Sequence, residues 1–548
     1  LDIHTARTVV SGAWRIGGVD AFFPLGTPSF AGASGRSVRG SAETFRQLAS
    51  GNVSDVRRLL VLSNSRGVRY STDIRSDVGA WPQHWGGGLA LAALNLVSGS
   101  TAVKPTVNAD NAELGLDYAR VTRATSGAGN TVSTRALRRF GYGSQLAGSS
   151  LGSGRWTGGP GAGVLINPSG TYQTLTHEVP GSRYLFDRPR RYRALVLAYP
   201  GSADARIDMR SSVLSQSDPA ATLRSEGSWT HLDTTRLHGV VVSTSATART
   251  ITIAGTGHDI EPGDAVSVGD SLTTLDTSVI EAIAEVGSNT RLTLEHWLDP
   301  TLTPAPGAQV RIGSWQLLWI DTECTGDEPW RDEPWQGFRL CAGDTGAPLC
   351  LLSEEWQASG PGFVIGSSGW SGHGYSDHLI NAFMTTRPSD GKSPFTEFLR
   401  LMDPDCVALV PAQQSSLPSV MGTMTSFVRE HIDPATEVVW IADHTHGRST
   451  TVASPNSLSN QNFGAWYVWM EQNAAANGVP YLARGMTVLG NFEDQLARGW
   501  RSNSVSHDTS EGCLVWARAV LEDARRSILP VSTTTSSKAP NVTPIEAK

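Results

Sequence analysis

The sequence predicts an α/β protein: a parallel sheet covered by helices and interrupted by a long, β-rich, sandwich-type insertion. Three observations lead there. Short apolar runs alternate with helical stretches after Gly360 and again around Val56. The middle, about 165–355, instead alternates apolar with polar residues. Gly and Pro punctuate that middle at strand-length intervals.

At 548 residues the chain exceeds one ordinary core, so two to four domains are expected. Its net charge of −7 supplies no basic field for a polyanion, which argues against nucleic acid as a partner. The five cysteines (Cys324, Cys341, Cys350, Cys406, Cys513) lack zinc-ribbon spacing. Bridges Cys324–Cys341 or Cys341–Cys350 and free buried thiols all stay open. No run approaches the roughly 18 apolar residues that span a bilayer, so no membrane span is expected. The start, Leu1-Asp2-Ile3-His4, has no basic, apolar signal and suggests that something upstream was removed or not included.

In chain order, residues 1–55 read as an arm or docking segment with one helical stretch, Ala42–Ser50. Val56–Leu62 is short, apolar and β-prone, as a buried parallel strand is. Trp81–Val97 then reads as a helix, closing a first α/β part over 56–100. The connection 101–164 is Gly/Ser-rich, most of all from Gly141 to Gly163. Within 165–355, Tyr192–Tyr199 and Val310–Ile312 alternate as strands, and about 249–312 forms a small β-module of its own. The echo Asp327-Glu328-Pro329-Trp330 and Asp332-Glu333-Pro334-Trp335 is too short for a structural repeat. From 356 to 527 the strands Phe363–Ile365, Cys406–Val410 and Glu437–Ile441 alternate with helices at Asn462–Asn477 and Gly512–Arg525. The polar tail 528–548 has nothing to bury.

Two distant segments carry the chemistry. Ser63-Asn64-Ser65-Arg66-Gly67 places a serine where a strand gives way to a helix, and Ser504-Val505-Ser506-His507-Asp508 places a histidine before the last helix. A hydroxyl and an imidazole brought together make a nucleophile and its base.

The order of these segments resembles the SGNH (GDSL-like) hydrolase family, which implies a flavodoxin-like three-layer fold and a serine esterase. Ser63-Asn64-Ser65 is similar to the family's first block, Gly-Asp-Ser. Gly366-Ser367-Ser368-Gly369 resembles the second, a Gly-x-x-Gly turn with an oxyanion glycine. Pro404-Asp405, its strand and Ala412-Gln413-Gln414-Ser415 match the third in register, and Ser504 to His507 with Gly512 corresponds to the fourth, Asp-x-x-His. The resemblance implies that Ser65 attacks an acyl carbonyl while His507 takes its proton. The Ser65 N–H, the Gly369 N–H and the Gln414 amide then hold the oxyanion. The departures are Asn64, Ala412, Gln414 and, above all, Ser504 in place of the acid. Loss of that acid costs about 10⁴-fold in a serine-protease triad. Asp508 or Glu511 substitutes, or the pair works as a Ser-His dyad.

Plainer readings stand beside these. Ser65 caps a helix, His507 sits at a helix start, Gly369 is a turn glycine and Gln414 is merely polar. Gly269-Asp270-Ser271-Leu272 copies the family's first block literally but lies in the β-module, where it reads as a hairpin. Ser368 is a further competitor. Asp443-His444-Thr445-His446 reads as a loop after a strand, so neither metal nor cofactor is expected. Trp81, His84 and Trp85 either line a cleft near Ser65 or pack a core.

Two function classes follow. One is an esterase or deacetylase acting on acylated carbohydrate or another cell-envelope ester, with the β-rich insertion binding a cell-surface polysaccharide. The other is a structural or receptor-binding protein that kept the fold and lost the chemistry. The arm and the Gly/Thr/Ser-rich style resemble minor tail proteins of bacteriophages. That resemblance implies an extracellular or virion location, with other tail proteins or further copies of the chain as partners.

Overall fold

The computed structural model describes residues 15–16, 19–20, 42–50, 56–64, 105–108, 119–123, 132–133, 164–166, 172–177, 191–211, 223–225, 227–269, 276–298, 303–323, 336–343, 349–357, 362–370, 384–410, 418–442, 463–482, 492–500 and 510–526. An eleven-stranded sheet organises them. Nine of its strands form the main path and are numbered here in chain order: β1 (Val56–Asn64), β2 (Pro105–Asn108), β3 (Arg191–Ala198), β4 (Gln316–Glu323), β5 (Leu349–Gln357), β6 (Gly362–Trp370), β7 (Cys406–Leu409), β8 (Glu437–Ile441) and β9 (Tyr481–Leu482). They stand in the order β4-β3-β5-β2-β6-β1-β7-β8-β9.

From β2 to β9 every pairing is parallel. Leu59–Leu62, Cys406–Val410 and Val438–Ala442 are buried at every position, as strands covered on both faces must be. Taking β1, β6, β7, β8 and β9 as first to fifth, their order is 2-1-3-4-5, the flavodoxin-like arrangement of a doubly wound sheet.

Six helices matter here: α1 (Glu43–Ser50), α2 (Pro394–Met402), α3 (Pro418–His431), α4 (Phe463–Ala476), α5 (Phe492–Ala497) and α6 (Ser510–Arg526). In α2 the buried Phe395, Phe398, Leu399 and Met402 recur at helical spacing, and a capping box between Ser393 and Thr396 with Pro394 in the first turn starts it. Alternate strand residues sort the helices onto two faces. Leu60, Leu62, Val407, Leu409, Val438 and Trp440 share one core with α2, α3 and α4. The Trp440 indole donates to Thr425 Oγ1 of α3 at 2.9 Å. On the other face Glu437 takes the Thr44 N–H of α1 at 2.9 Å, and α1 packs on α6. The result is three layers.

The β-rich middle is woven into this sheet. Strands β3, β4 and β5 extend it antiparallel through the β5–β2 pairing. Ala119–Arg123, Tyr172–His177, Ala205–Ser211, Leu223–Ser225 and Gln336–Ala342 make a separate five-stranded antiparallel sheet. The module expected at 249–312 is a closed six-stranded barrel that starts earlier, at Thr235, and ends at Gly313. Its core includes Ile251, Ile253, Val266, Ile280, Leu292 and Ile312. The stretch 165–355 therefore divides among three sheets instead of forming one sandwich hung from the parallel strands. Alternation assigns each residue a face, but the choice of partner strand depends on distant segments.

The barrel is strapped to the main sheet by the chain just before α2. The Glu295 carboxylate accepts from the Met384 and Thr385 N–H groups at 2.6 and 3.0 Å, and Glu261 accepts from Ser389 N–H at 3.0 Å. The Arg387 guanidinium lies 4.9 Å from the Trp315 ring centroid, and the Trp315 indole donates to Gly263 O at 2.9 Å.

Cys341 and Cys406 are buried and in no disulfide, which removes both bridges considered for Cys341. Among the described residues no helix is long and apolar enough to cross a membrane.

At the amino edge of the sheet Asp405 ties β1 to β7. Its carboxylate accepts from the Arg58 N–H at 2.7 Å and from Arg57 Nη1 at 2.9 Å. The side chain is 30% exposed, which weakens the ion pair, so Asp405→Ala is expected to cost about 1–2 kcal/mol. Asp405→Asn, which keeps an acceptor for Arg58, costs less. Urea unfolding of the two variants and the parent checks both the sign and the ranking.

Candidate functional site

Six parallel strands put six carboxyl ends on one edge, and in the 2-1-3-4-5 order of the five beyond β2 a crevice is expected where the order reverses, between the first and third strands. Here those are β1 and β7, paired from Cys406↔Leu59 to Leu409↔Leu62 and closed by the Val410 N–H donating to Leu62 O at 3.0 Å.

Ser65, Gln414 and His507 lie outside the described residues, as do Ser504, Asp508, Ser271, 443–446 and 81–97. Described strands or helices lie near Ser65, Gln414 and His507 in the chain. Ser65 is bonded to Asn64, the last residue of β1. Gln414 follows shortly after Val410, so the two sequence segments leave the sheet on either side of the reversal.

Gly369 is described, and it corrects the expectation. Gly366-Ser367-Ser368-Gly369 is not a turn: all four residues lie in β6, which pairs with β1 through Trp370↔Asn64. The glycines read as punctuation, but a neighbouring strand that continues to Asn64 supplies a backbone ladder and draws β6 along it. β1 likewise runs two residues past the expected Leu62. Gly369 thus stands beside Ser63 at the same carboxyl edge.

The described residues before and after the segment containing His507 are firmly anchored. α5 closes in a Schellman turn: Gly499 at φ 71° donates to Leu496 O at 3.0 Å and the Trp500 N–H to Gln495 O at 2.9 Å. This delivers Trp500, 3% exposed, against the first turn of α6. A Cβ on Gly512 would lie 3.0 Å from the Trp500 carbonyl carbon and closer still to its oxygen, so only glycine fits. One turn on, the fully buried Trp516 indole donates to Ala442 O at 3.1 Å, just past the carboxyl end of β8. The described residues flanking 501–509 therefore meet at Trp500 and Gly512, and the helix that follows is pinned to the same sheet edge. Gly512 stands out in the sequence only by its distance from His507, and Trp500 and Trp516 carry no such signal. No short-range pattern pairs an indole with a carbonyl more than seventy residues away.

A cleft of about 810 Å³ lies at the opposite, amino edge, lined by Glu43, Arg57, Arg400, Asp405, Arg429 and Glu437 among others. Its arginines are committed: Arg57 to Asp405, Arg400 to both oxygens of Glu397, and Arg429 to Asn477 O. Burial pushes the Glu437 carboxyl above the usual range, against the Thr44 hydrogen bond and the nearby Arg46 and Arg57. Burial first, then Glu437 and Asp405, push the Cys406 thiol far up, so it stays protonated and inert. These groups cap α1 and close the sheet. Among the described residues no cluster of three or more metal-ligating side chains occurs.

The sheet order and the helices on both of its faces define a doubly wound α/β protein. No family model and no curated protein matches the chain. Among solved structures it is similar to a peptidoglycan O-acetylesterase, at 10% identity and TM-score 0.41 over 88% of this chain and 94% of that one. It is also similar to a carbohydrate esterase family 2 enzyme with a carbohydrate-binding domain from Corynascus thermopiles (Myceliophthora fergusii), at 7% identity and TM-score 0.19 over 66% of this chain and 95% of that one. At such scores neither likeness carries an inference about this chain.

Proposed function

We propose that the chain is an SGNH-type serine esterase or deacetylase that acts on acylated carbohydrate or another cell-envelope ester, outside the cell or on a virion tail. One observation carries the reading: the serine of the first motif follows directly on β1, the strand at which the sheet order reverses. In this reading Ser65 Oγ attacks the acyl carbon as His507 takes its proton. The N–H groups of Ser65 and Gly369 with the Gln414 amide hold the oxyanion. His507 then gives the proton to the leaving alcohol, and water, activated by the same imidazole, releases the acid and frees Ser65. The β-rich middle holds the polymer.

A second reading, a receptor-binding or structural protein that no longer hydrolyses esters, is favoured by Ser504 at the place of the triad acid. The purified chain is expected to hydrolyse p-nitrophenyl acetate, and Ser271→Ala to keep the full rate. An inert chain favours the second reading, and loss of rate in Ser271→Ala moves the nucleophile into the barrel.

A further inference from the structure

We propose that Trp229, with Asp204, Arg206 and His231, forms a binding platform for one sugar ring of a neutral glycan. The four residues belong to two short extended segments joined by a single antiparallel bridge. Ala205 and Thr230 exchange N–H···O bonds at 3.0 and 2.7 Å. In an antiparallel pair the residues flanking such a bridge face each other in turn, so Arg206 meets Trp229 and Asp204 meets His231, all four on one face. The contacts agree: the Arg206 guanidinium lies 4.5 Å from the Trp229 ring centroid, and His231 Nδ1 lies 2.9 Å from Asp204 Oδ1.

Trp229 is 48% exposed, the most open of the large apolar side chains among the described residues. Arg206 covers one face of the indole and fixes its orientation, and is itself held by the fully buried Asp208, 3.1 Å from its Nε. A rigid, half-open indole offers a flat apolar surface to the C–H face of a pyranose, and polar groups at its edge set orientation. His231 and Asp204 supply that edge, with side chains 75% and 41% exposed. Asp204 Oδ1 also accepts from Leu232 N–H at 3.3 Å, which leaves Asp204 Oδ2 and His231 Nε2 without an assigned partner among the described residues. Gly343, whose N–H donates to Asp204 O, has no side chain to crowd this carboxylate.

Charge decides the occupant. Arg206 is answered by Asp208 and His231 lies against Asp204, so the patch offers hydrogen bonds with no surplus of positive charge to draw an anion. A stacked nucleobase would bring a polyanion to a chain of net charge −7. An uncharged polyhydroxylated ring fits. The inference rests on the reading of the chain as acting on carbohydrate, and adds to it a place where the polymer is held.

The test is calorimetric binding by the full-length Ser65→Ala chain, with a hexamer of N-acetylglucosamine and a hexamer of xylose as probes. At least one should bind, Trp229→Ala should weaken it about tenfold or more, and Trp229→Phe should restore most of it. Binding of neither hexamer, or equal binding by Trp229→Ala, overturns the platform. So does sedimentation in which Trp229→Ala splits an oligomer, since the patch would then belong to a second copy. Unfolding curves for the exposed Trp229 variants should match the parent. Hydrolysis plays no part in this measurement: ester turnover without Trp229-dependent binding removes the platform and leaves the esterase, and the converse result removes the esterase alone.

Discussion

Ser65→Ala is expected to lower the turnover of p-nitrophenyl acetate by at least about 10²-fold, with the fold unchanged. The magnitude follows from how such residues act as a unit. In a serine protease the whole triad is worth about 10⁶ in kcat and its acid alone about 10⁴. A pair without the acid therefore keeps about 10² above what oxyanion donors and binding supply. With Ser504 where the acid belongs, this is the floor. If Asp508 or Glu511 orients His507 instead, the loss approaches about 10⁶. The size of the drop thus reports which partner the imidazole has, and His507→Ala should match it. A Ser65→Ala enzyme as fast as the parent would place the nucleophile elsewhere.

Gly512→Ala is expected to destabilise the chain by about 3 kcal/mol or more and to abolish ester hydrolysis with it. The new methyl would meet the Trp500 backbone, which cannot swing aside as a flexible side chain does. Either α6 withdraws, breaking the Trp516 bond to Ala442 O, or the Schellman turn after α5 opens. Both movements separate Trp500 from Gly512. Thermal unfolding and amide exchange in α6 read the effect, and a variant as stable as the parent would mean that this contact holds nothing in place.

The parallel core is readable because short continuous apolar runs such as Cys406–Val410, too short for a helix and bounded by turn residues, fit strands buried on both faces. β9 was missed because two residues, Tyr481–Leu482, leave no pattern. Gly366–Gly369 looked like a turn because glycine carries no side chain to mark a strand, and the ladder along β1 decides the matter. In the β-rich middle the alternation was plain while the sheet each strand joins was not, since Leu349–Gln357 reaches both β3 and β2 across long stretches of chain. At the site the order of the motifs was visible in the sequence. The contact between Trp500 and Gly512 was not, because it depends on two helix ends meeting.

The most direct measurement is to treat the purified chain with a fluorophosphonate, which phosphonylates an activated serine, and to locate the adduct by peptide mass spectrometry. A single adduct on Ser65, lost in His507→Ala, is the expected result. An adduct on Ser271 or Ser368, or none at all, would contradict a nucleophile at the carboxyl end of β1.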